Sequence, residues 1–264
     1  MRISNFLFLN KRQKFVLTVL LLSGGVFISE YFIGTKLFLA AAILATLTDV
    51  ALILILRKDI KGNYFYPTLI LPFFYTLAFP FFYTLVPTRL ISRLLITVLY
   101  AFGLYSLFLT QNIFTVSGIR TINLLRSARI VSFVITLLVF YFLVNFIFSI
   151  RLPVYVTPLA IMPIAFLMNI QSLWSYSLER RQVGEILIFS SLISVAIAEL
   201  AYILIIWPVT PSIYSLFLTG IFYMYSGLSH AWLERRLFKG ILWEYVWVGF
   251  ISVLFLIIFS KWGA

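Results

Sequence analysis

Long apolar runs separated by short polar segments make up most of the chain. Nine of these runs are about as long as the roughly 20-residue helix needed to cross the hydrocarbon core of a bilayer. They lie at about 15–33, 37–56, 64–86, 90–110, 130–149, 152–174, 186–207, 212–231 and 241–260. Runs such as Val131–Phe148 lack the apolar/polar alternation of membrane barrel strands. The pattern therefore predicts an all-α, polytopic transmembrane helical bundle of about nine spans.

Composition leads to the same class of protein. Of the 264 residues 63% are hydrophobic and only 11% are charged. A soluble chain carries about a quarter charged residues, so a soluble globular enzyme and a disordered chain are both excluded. Because the connections between the runs are short, we predict one integral-membrane domain covering residues 1–264.

The positions of the basic residues predict the orientation of the bundle. With a cytoplasmic N-terminus, the inner segments hold Arg2, Lys11, Arg12, Lys14, Arg57, Lys58, Lys61, Arg120, Arg126, Arg129, Arg180, Arg181, Arg235, Arg236 and Lys239. The outer segments hold Lys36, Arg89, Arg93, Arg151 and Lys261. This bias follows the positive-inside rule and favours the cytoplasmic (inner) membrane. The net charge of +12 then fits contact with an anionic leaflet, and no nucleic-acid partner is predicted.

The first span resembles a signal peptide at its start. Residues 11–14 are basic and residues 15–22 are apolar, but the apolar run resumes with Val26-Phe27-Ile28. We therefore expect an uncleaved first helix.

Prolines are concentrated in the third and sixth spans, where each internal proline removes a helical hydrogen bond. Pro72 and Pro80 occupy equivalent positions of a repeated Pro-Phe-Phe-Tyr-Thr-Leu sequence, and Pro158 and Pro163 are five residues apart. One interpretation makes these four prolines hinges in broken helices beside a cavity. The other interpretation, which we favour, is two statically kinked helices.

The longest polar segment, 111–129, has two interpretations of equal weight. Thr121, Leu124, Leu125 and Ala128 form a short apolar stripe, which is typical of a helix lying in the membrane interface. The alternative is a basic loop that continues directly into the fifth span. In either case Arg120, Arg126 and Arg129 are candidates for contact with lipid headgroups.

Ionisable residues inside spans indicate function, since each costs roughly 2.5–3.5 kcal/mol at the helix centre. Asp49 in the second span and Glu199 in the seventh are two such residues, and Arg93 in the fourth span is a cation placed to pair with Glu199. We predict that these three line a substrate path. In the alternative, Thr46 and Tyr202 satisfy Asp49 and Glu199 by local hydrogen bonds.

No catalytic motif is complete. The single histidine, His230, follows Gly227-Leu228-Ser229 directly, which does not fit the Gly-x-Ser-Gly and distant histidine of an intramembrane serine protease. The chain has no cysteine and no metal-binding, nucleotide-binding or dinucleotide-binding motif, so no cofactor or metal is predicted.

A resemblance covers residues of the middle of the chain. Asn112-Ile113-Phe114-Thr115-Val116 followed by Ile119-Arg120-Thr121 and Leu124–Ala128 resembles a group of small bacterial polytopic membrane proteins carrying a domain of unknown function. The resemblance extends over about 90–150. It implies a membrane location and no particular activity.

Three functional hypotheses follow. The first is a protein that binds or transports a small or lipidic molecule within the bundle. The second is a non-catalytic membrane subunit or scaffold, with a partner protein docked on the basic cytoplasmic loops or against a small-residue face. That face consists of Ser191, Ser194, Ala198 and Ala201. The third is a lipid-modifying enzyme, and we favour the two non-enzymatic alternatives.

Overall fold

Helices account for all the regular secondary structure that is described. A computed structural model describes residues 10–29, 31, 35–57, 65–87, 89–117, 124–177 and 183–261. The helices within these ranges are α1 (Lys11–Ser29), α2 (Thr35–Leu56), α3 (Phe65–Tyr83), α4 (Leu90–Ser117), α5 (Leu125–Ser149), α6 (Val156–Ser177), α7 (Val183–Leu204), α8 (Pro211–Leu233) and α9 (Lys239–Ile258). The prediction of an all-α protein is confirmed, and each predicted span overlaps one of these helices.

Eight of these helices are long and apolar enough to cross a membrane. The exception among the described helices is α8, which carries many Ser, Thr, Tyr and Gly residues and His230. Most of its polar side chains are buried against other helices, because a polar helix is stable among apolar ones only when its polar groups face protein. The chain is therefore built as a multi-pass protein, with one helix less apolar than the sequence pattern suggests.

The chain divides into two compact units, residues 1–135 and 136–264. In the first unit each of α1, α2 and α3 packs against the next helix, and α1 also packs against α4. Short connections between successive helices favour this antiparallel four-helix arrangement. The helix α5 begins in the first unit and ends in the second.

Close packing between α3 and α4 depends on one glycine. The Tyr75 ring stacks on the Tyr100 ring at 5.5 Å between centroids, and its hydroxyl donates to the Tyr100 carbonyl at 3.1 Å. Gly103 leaves the space that the Tyr75 hydroxyl occupies, because a Cβ at this position would overlap that hydroxyl. The buried Tyr75 side chain thus joins the two helices, and it fits against α4 because the facing residue there is glycine.

The second unit is organised around α8. This helix packs against α6, α7 and α9. The later half of α5 adds two stacked aromatic pairs, Phe140 on Phe222 at 4.5 Å and Phe148 on Tyr214 at 3.8 Å between centroids. Such pairs supply large buried areas at the centre of the unit.

The segment 111–129 contains no separate interfacial helix within its described residues. Residues 111–117 continue α4, and Arg126 and Arg129 lie in the first turns of α5. This arrangement favours the alternative in which basic residues run directly into the fifth span. Arg120 lies outside the described residues.

The proline-containing helices are continuous. Pro72 and Pro80 lie inside α3, and Pro163 lies inside α6. Pro158 is the third residue of α6, where backbone N–H groups have no intrahelical acceptor and a proline removes nothing. Both helices thus run without a break through their internal prolines, which agrees with the favoured interpretation over that of broken helices, since isolated lost bonds leave the neighbouring turns intact. Movement at these prolines stays a prediction.

Replacing Gly103 by Ala should destabilise the first unit. The new methyl group displaces the Tyr75 hydroxyl, and overpacking of this kind typically costs about 1–3 kcal/mol. The measurement is the Tm of the purified protein in detergent. Gly24→Ala is the control, because nothing lies within contact distance of a Cβ there and Ala favours the helix by about 0.5–1 kcal/mol. Equal Tm values for the two variants would contradict the packing described.

Candidate functional site

A chain of three hydroxyl groups joins α2, α3 and α4 inside the first unit. Thr48 and Thr76 lie 2.9 Å apart between their Oγ1 atoms, and the Thr76 Oγ1 lies 3.1 Å from the Tyr100 hydroxyl. All three side chains are fully buried. Each comes from a different helix, so the hydroxyl chain ties three of the four helices of this unit together.

The direction of this hydroxyl chain follows from counting protons. The Thr48 hydroxyl donates its one proton to the Leu44 carbonyl at 2.9 Å. Thr76 must then donate to Thr48, and Tyr100 must donate to Thr76, because each hydroxyl has a single proton. Each of the three hydroxyl protons is therefore used within the protein. The hydroxyl chain has no proton left to donate to a ligand.

Asp49 follows Thr48 on α2 but does not belong to the hydroxyl chain. Its side chain is half-buried, and its Oδ1 atom is buried with no hydrogen-bond partner among the described residues. Thr46 does not satisfy it, since the Thr46 hydroxyl donates to the Ile43 carbonyl at 2.8 Å. The alternative in which Thr46 satisfies Asp49 is therefore wrong, and this carboxyl oxygen stays unpaired among the described residues.

Other polar atoms of the first unit are also buried without a hydrogen-bond partner among the described residues. Both amide atoms of Gln111, which is fully buried, and the Oδ1 atom of Asn112 have no hydrogen-bond partner among the described residues. An unpaired polar group buried away from water typically costs about 1–3 kcal/mol. With no partner among the described residues, these atoms are unfavourable for stability in α4.

Arg93 lies near the start of α4 among tyrosines of the first unit. Its Nε atom donates to the Tyr83 hydroxyl at 2.6 Å. Its guanidinium carbon lies 4.2 Å from the ring centroid of Tyr31 and 5.6 Å from that of Tyr83. Cation–π contacts of this kind stabilise a guanidinium without a carboxylate. Arg93 is thus held by aromatic groups, and its predicted pairing with Glu199 stays a prediction.

Glu199 belongs to the second unit and is exposed on α7. The exposed residues before and after it on this helix face are apolar: Leu192, Val195, Tyr202, Ile203 and Ile206. Carboxyl groups inside a membrane almost always face protein or a water-filled cavity. The position of Glu199 within an apolar stripe is therefore unusual for a face in contact with lipid.

His230 has a partner on another helix. Its Nε2 atom lies 3.0 Å from the Ser172 Oγ on α6, and its ring stacks on Tyr176 at 3.8 Å between centroids. Ser172 and His230 are 2% and 4% exposed. One turn away, the Ser226 hydroxyl donates to the Asn169 Oδ1 at 3.0 Å. The Ser–His pair resembles a nucleophile with its base, but water does not reach it, and the two contacts act as bonds between α6 and α8.

The remaining predicted candidates are at the helix ends or in packed faces. Arg126 is exposed and Arg129 is half-buried at the start of α5. Of the small-residue face of α7, Ser194 and Ala201 are buried inside the protein, whereas Ser191 is exposed. No group of three or more His, Asp or Glu side chains placed for a metal occurs among the described residues.

Sequence reasoning identified Asp49 but missed several of these polar groups. Thr76 and Tyr100 lie in aromatic runs, and their hydroxyls meet Thr48 only after three helices pack. Ser172 is distant from His230 along the chain, so no local motif reveals the pair. Gln111 carried a signal, because an amide at the end of an apolar run is unusual, but the prediction assigned it to a loop segment.

The model of a family described as a protein of unknown function, DUF5656, matches residues 14–259. The chain belongs to this family, which confirms the resemblance to uncharacterised proteins. No curated protein and no solved structure matches the chain.

Replacing Thr76 by Val should destabilise the first unit without changing the shape of the side chain. The substitution removes the shared hydroxyl and leaves Thr48 and Tyr100 without one partner each, a loss of about 1–2 kcal/mol. Thr46→Val is the matched control, since this hydroxyl bonds only within its own helix. Thermal unfolding in detergent should separate the two variants, and a Thr46→Val protein as unstable as Thr76→Val would contradict the hydroxyl chain.

Proposed function

We propose that this member of the family is a multi-pass protein of the cytoplasmic membrane that binds and transports a small or lipidic molecule within its helices. The observation that carries the proposal is the buried Oδ1 atom of Asp49, which has no hydrogen-bond partner among the described residues. A carboxyl group in this position is unfavourable for folding. Its retention is explained when a ligand or a proton uses it.

The chemistry of Asp49 limits the ligand. An ionised carboxyl accepts hydrogen bonds or pairs with a cation, and a protonated carboxyl also donates one hydrogen bond. The two forms of the carboxyl therefore offer a ligand different partners. A ligand with a cationic or hydrogen-donating group is therefore the class that Asp49 suits, and exchange of a proton for this ligand is the corresponding mechanism. Glu199 and Arg93 remain further candidates for this path.

The proposed orientation has the N-terminus in the cytoplasm. In this orientation Arg120, Arg126 and Arg129 lie at the inner leaflet, where their guanidinium groups suit lipid phosphates. Pro72, Pro80 and Pro163 lie in spans where a small bend would allow movement during transport, and Pro158 would contribute only at the start of its helix.

A second candidate function is a membrane subunit that docks another protein. Glu199 favours it, because a carboxyl in an exposed apolar stripe is better placed against protein than against lipid. The burial of Ser194 and Ala201 weakens it, since half of the small-residue face is already used within the chain. A protein that co-purifies with the wild type in stoichiometric amount but not with Glu199→Gln would favour this second candidate.

Replacing Asp49 by Asn should abolish ligand binding and leave the Tm no lower than that of the wild type. The amide keeps the shape but carries no charge and releases no proton, so affinity should fall at least about tenfold. The probe is the lipid and small-molecule extract of the host cells, and the measurement is the mass of species retained by the purified protein in native mass spectrometry.

Two further carboxyl variants make this experiment decisive. Glu199→Gln tests the other path candidate, and Glu244→Gln is the control because this carboxyl is exposed near the start of α9. If wild type, Asp49→Asn and Glu244→Gln retain the same species equally, Asp49 does not bind the ligand and the proposal fails.

Single cysteines test the proposed orientation, because the natural chain has none. Arg57→Cys should be protected from an impermeant maleimide added to intact cells, whereas Arg89→Cys should react. Both residues are exposed, and both variants lose one arginine. Labelling should become equal after the cells are permeabilised. Reaction of Arg57→Cys in intact cells would reverse the orientation.

A further inference from the structure

A cavity of about 540 Å³ lies at one end of the second unit. Three segments line it: the turn between α5 and α6, the connection between α7 and α8, and the residues after α9. Its volume falls within the range of ligand pockets in proteins. Nothing in the proposed function uses this cavity, which belongs to a different unit from Asp49.

The charge of the cavity has one sign. Arg151 and Lys261 both line it, and its described lining residues include no Asp or Glu. Two cations around one space repel each other, and no carboxylate of a described lining residue compensates them. An anion between them would remove this repulsion.

Lys261 is held at the cavity by two bonds to the connection between α7 and α8. Its backbone N–H donates to the Pro208 carbonyl at 3.0 Å. The neighbouring Ser260 hydroxyl accepts from the Trp207 indole N–H at 2.6 Å. The end of α9 is thus attached to the cavity wall, so the backbone that carries the second cation is fixed at the cavity.

Uncharged donors also line the cavity. Thr157 is 3% exposed, and its hydroxyl forms no hydrogen bond with any described residue. Thr210 is the N-cap of α8, and its side chain forms no capping bond. The first N–H groups of α8 therefore lack a side-chain acceptor at the cavity, where a helix N-terminus favours negative charge.

Arg151 has a backbone conformation that is unusual for its residue type. Its φ is 55°, in the left-handed region where glycine is the common residue after a helix. Arg235 has the same φ at the end of α8, but the cavity there also contains Glu185. The cavity at Arg235 thus contains a carboxylate among its lining residues, whereas the described lining of the cavity at Arg151 contains none.

The apolar residues of the cavity wall indicate what kind of group carries the anion. Phe148, Ile205 and Trp207 supply apolar surface next to the two cations. The cavity lies where α5 and α7 end and α6 and α8 begin, which is the level of lipid headgroups for helices that cross a membrane. We propose that this cavity binds a phosphate group, with Arg151 and Lys261 as its charged ligands and Thr157 and the start of α8 as hydrogen-bond donors.

The test compares two sources of phosphate on the purified full-length protein. Inorganic phosphate is titrated at constant ionic strength, and short-chain phosphatidylglycerol is titrated in a neutral detergent, with phosphatidylcholine as the zwitterionic comparison. Binding is followed by native mass spectrometry for the lipids and by the shift in Tm for inorganic phosphate. Arg151→Gln and Lys261→Gln should each weaken binding by about tenfold, since each removes one charge-assisted hydrogen bond.

Two variants separate binding from folding. Arg89→Gln removes the same charge from outside the cavity and should bind as the wild type does. Arg151→Gly should raise the Tm, because glycine adopts the left-handed conformation without strain, and should still weaken binding.

Each outcome decides the proposal. Tighter binding of phosphatidylglycerol than of inorganic phosphate identifies a lipid headgroup site, and the reverse identifies a site for a soluble phosphate. Binding of neither probe, or binding that survives the Arg151→Gln/Lys261→Gln double variant, overturns the proposal. None of these results depends on Asp49, so the outcome is independent of the transport proposal.

Discussion

The structure depends on one constraint: a polar group buried among apolar helices must find its partner within the chain. No water is available in a lipid environment to replace a missing hydrogen bond, so hydroxyl and amide side chains pair across helices. In the first unit three buried hydroxyls meet this constraint by donating in sequence, from Tyr100 to Thr76, from Thr76 to Thr48, and from Thr48 to a backbone carbonyl. In the second unit Ser172 pairs with His230 and Ser226 with the Asn169 Oδ1 between α6 and α8, although the Asn169 Nδ2 has no partner among the described residues.

The same constraint explains which helix is the most polar. The helix α8 lies against α6, α7 and α9, so its serines and histidine are sheltered from lipid. The helix α9 is the opposite case, since only Gly249 and Leu256 along it are buried, and its exposed surface beyond Lys239 and Glu244 is mostly apolar. Polarity in this protein therefore follows the depth of a helix within its unit rather than its order in the chain.

The exceptions to the constraint are where the functional arguments begin. Among the described residues, Asp49 and Gln111 have buried polar atoms without hydrogen-bond partners, and the lining of the cavity beside Arg151 has two cations and no carboxylate. Groups of this kind reduce stability, and proteins retain them mainly where a ligand completes the arrangement. The carboxyl in the first unit and the cations in the second suit ligand groups of opposite charge, so the two proposals concern separate sites and are tested separately.

The sequence alone determined the class of the protein, because continuous apolar runs leave the helix as the only way to satisfy the backbone in lipid. It also located Asp49 as a carboxyl inside a span, since a single charged residue is conspicuous in an apolar run. It did not locate the start of α6, on which the effect of Pro158 depends, and it was wrong about Thr46, whose proton goes to its own helix. Only the tertiary structure decided that Ser172 meets His230 and that Arg151 and Lys261 share a cavity. These residues are far apart in the chain, and their proximity is set by helix packing, which leaves no local pattern in the sequence.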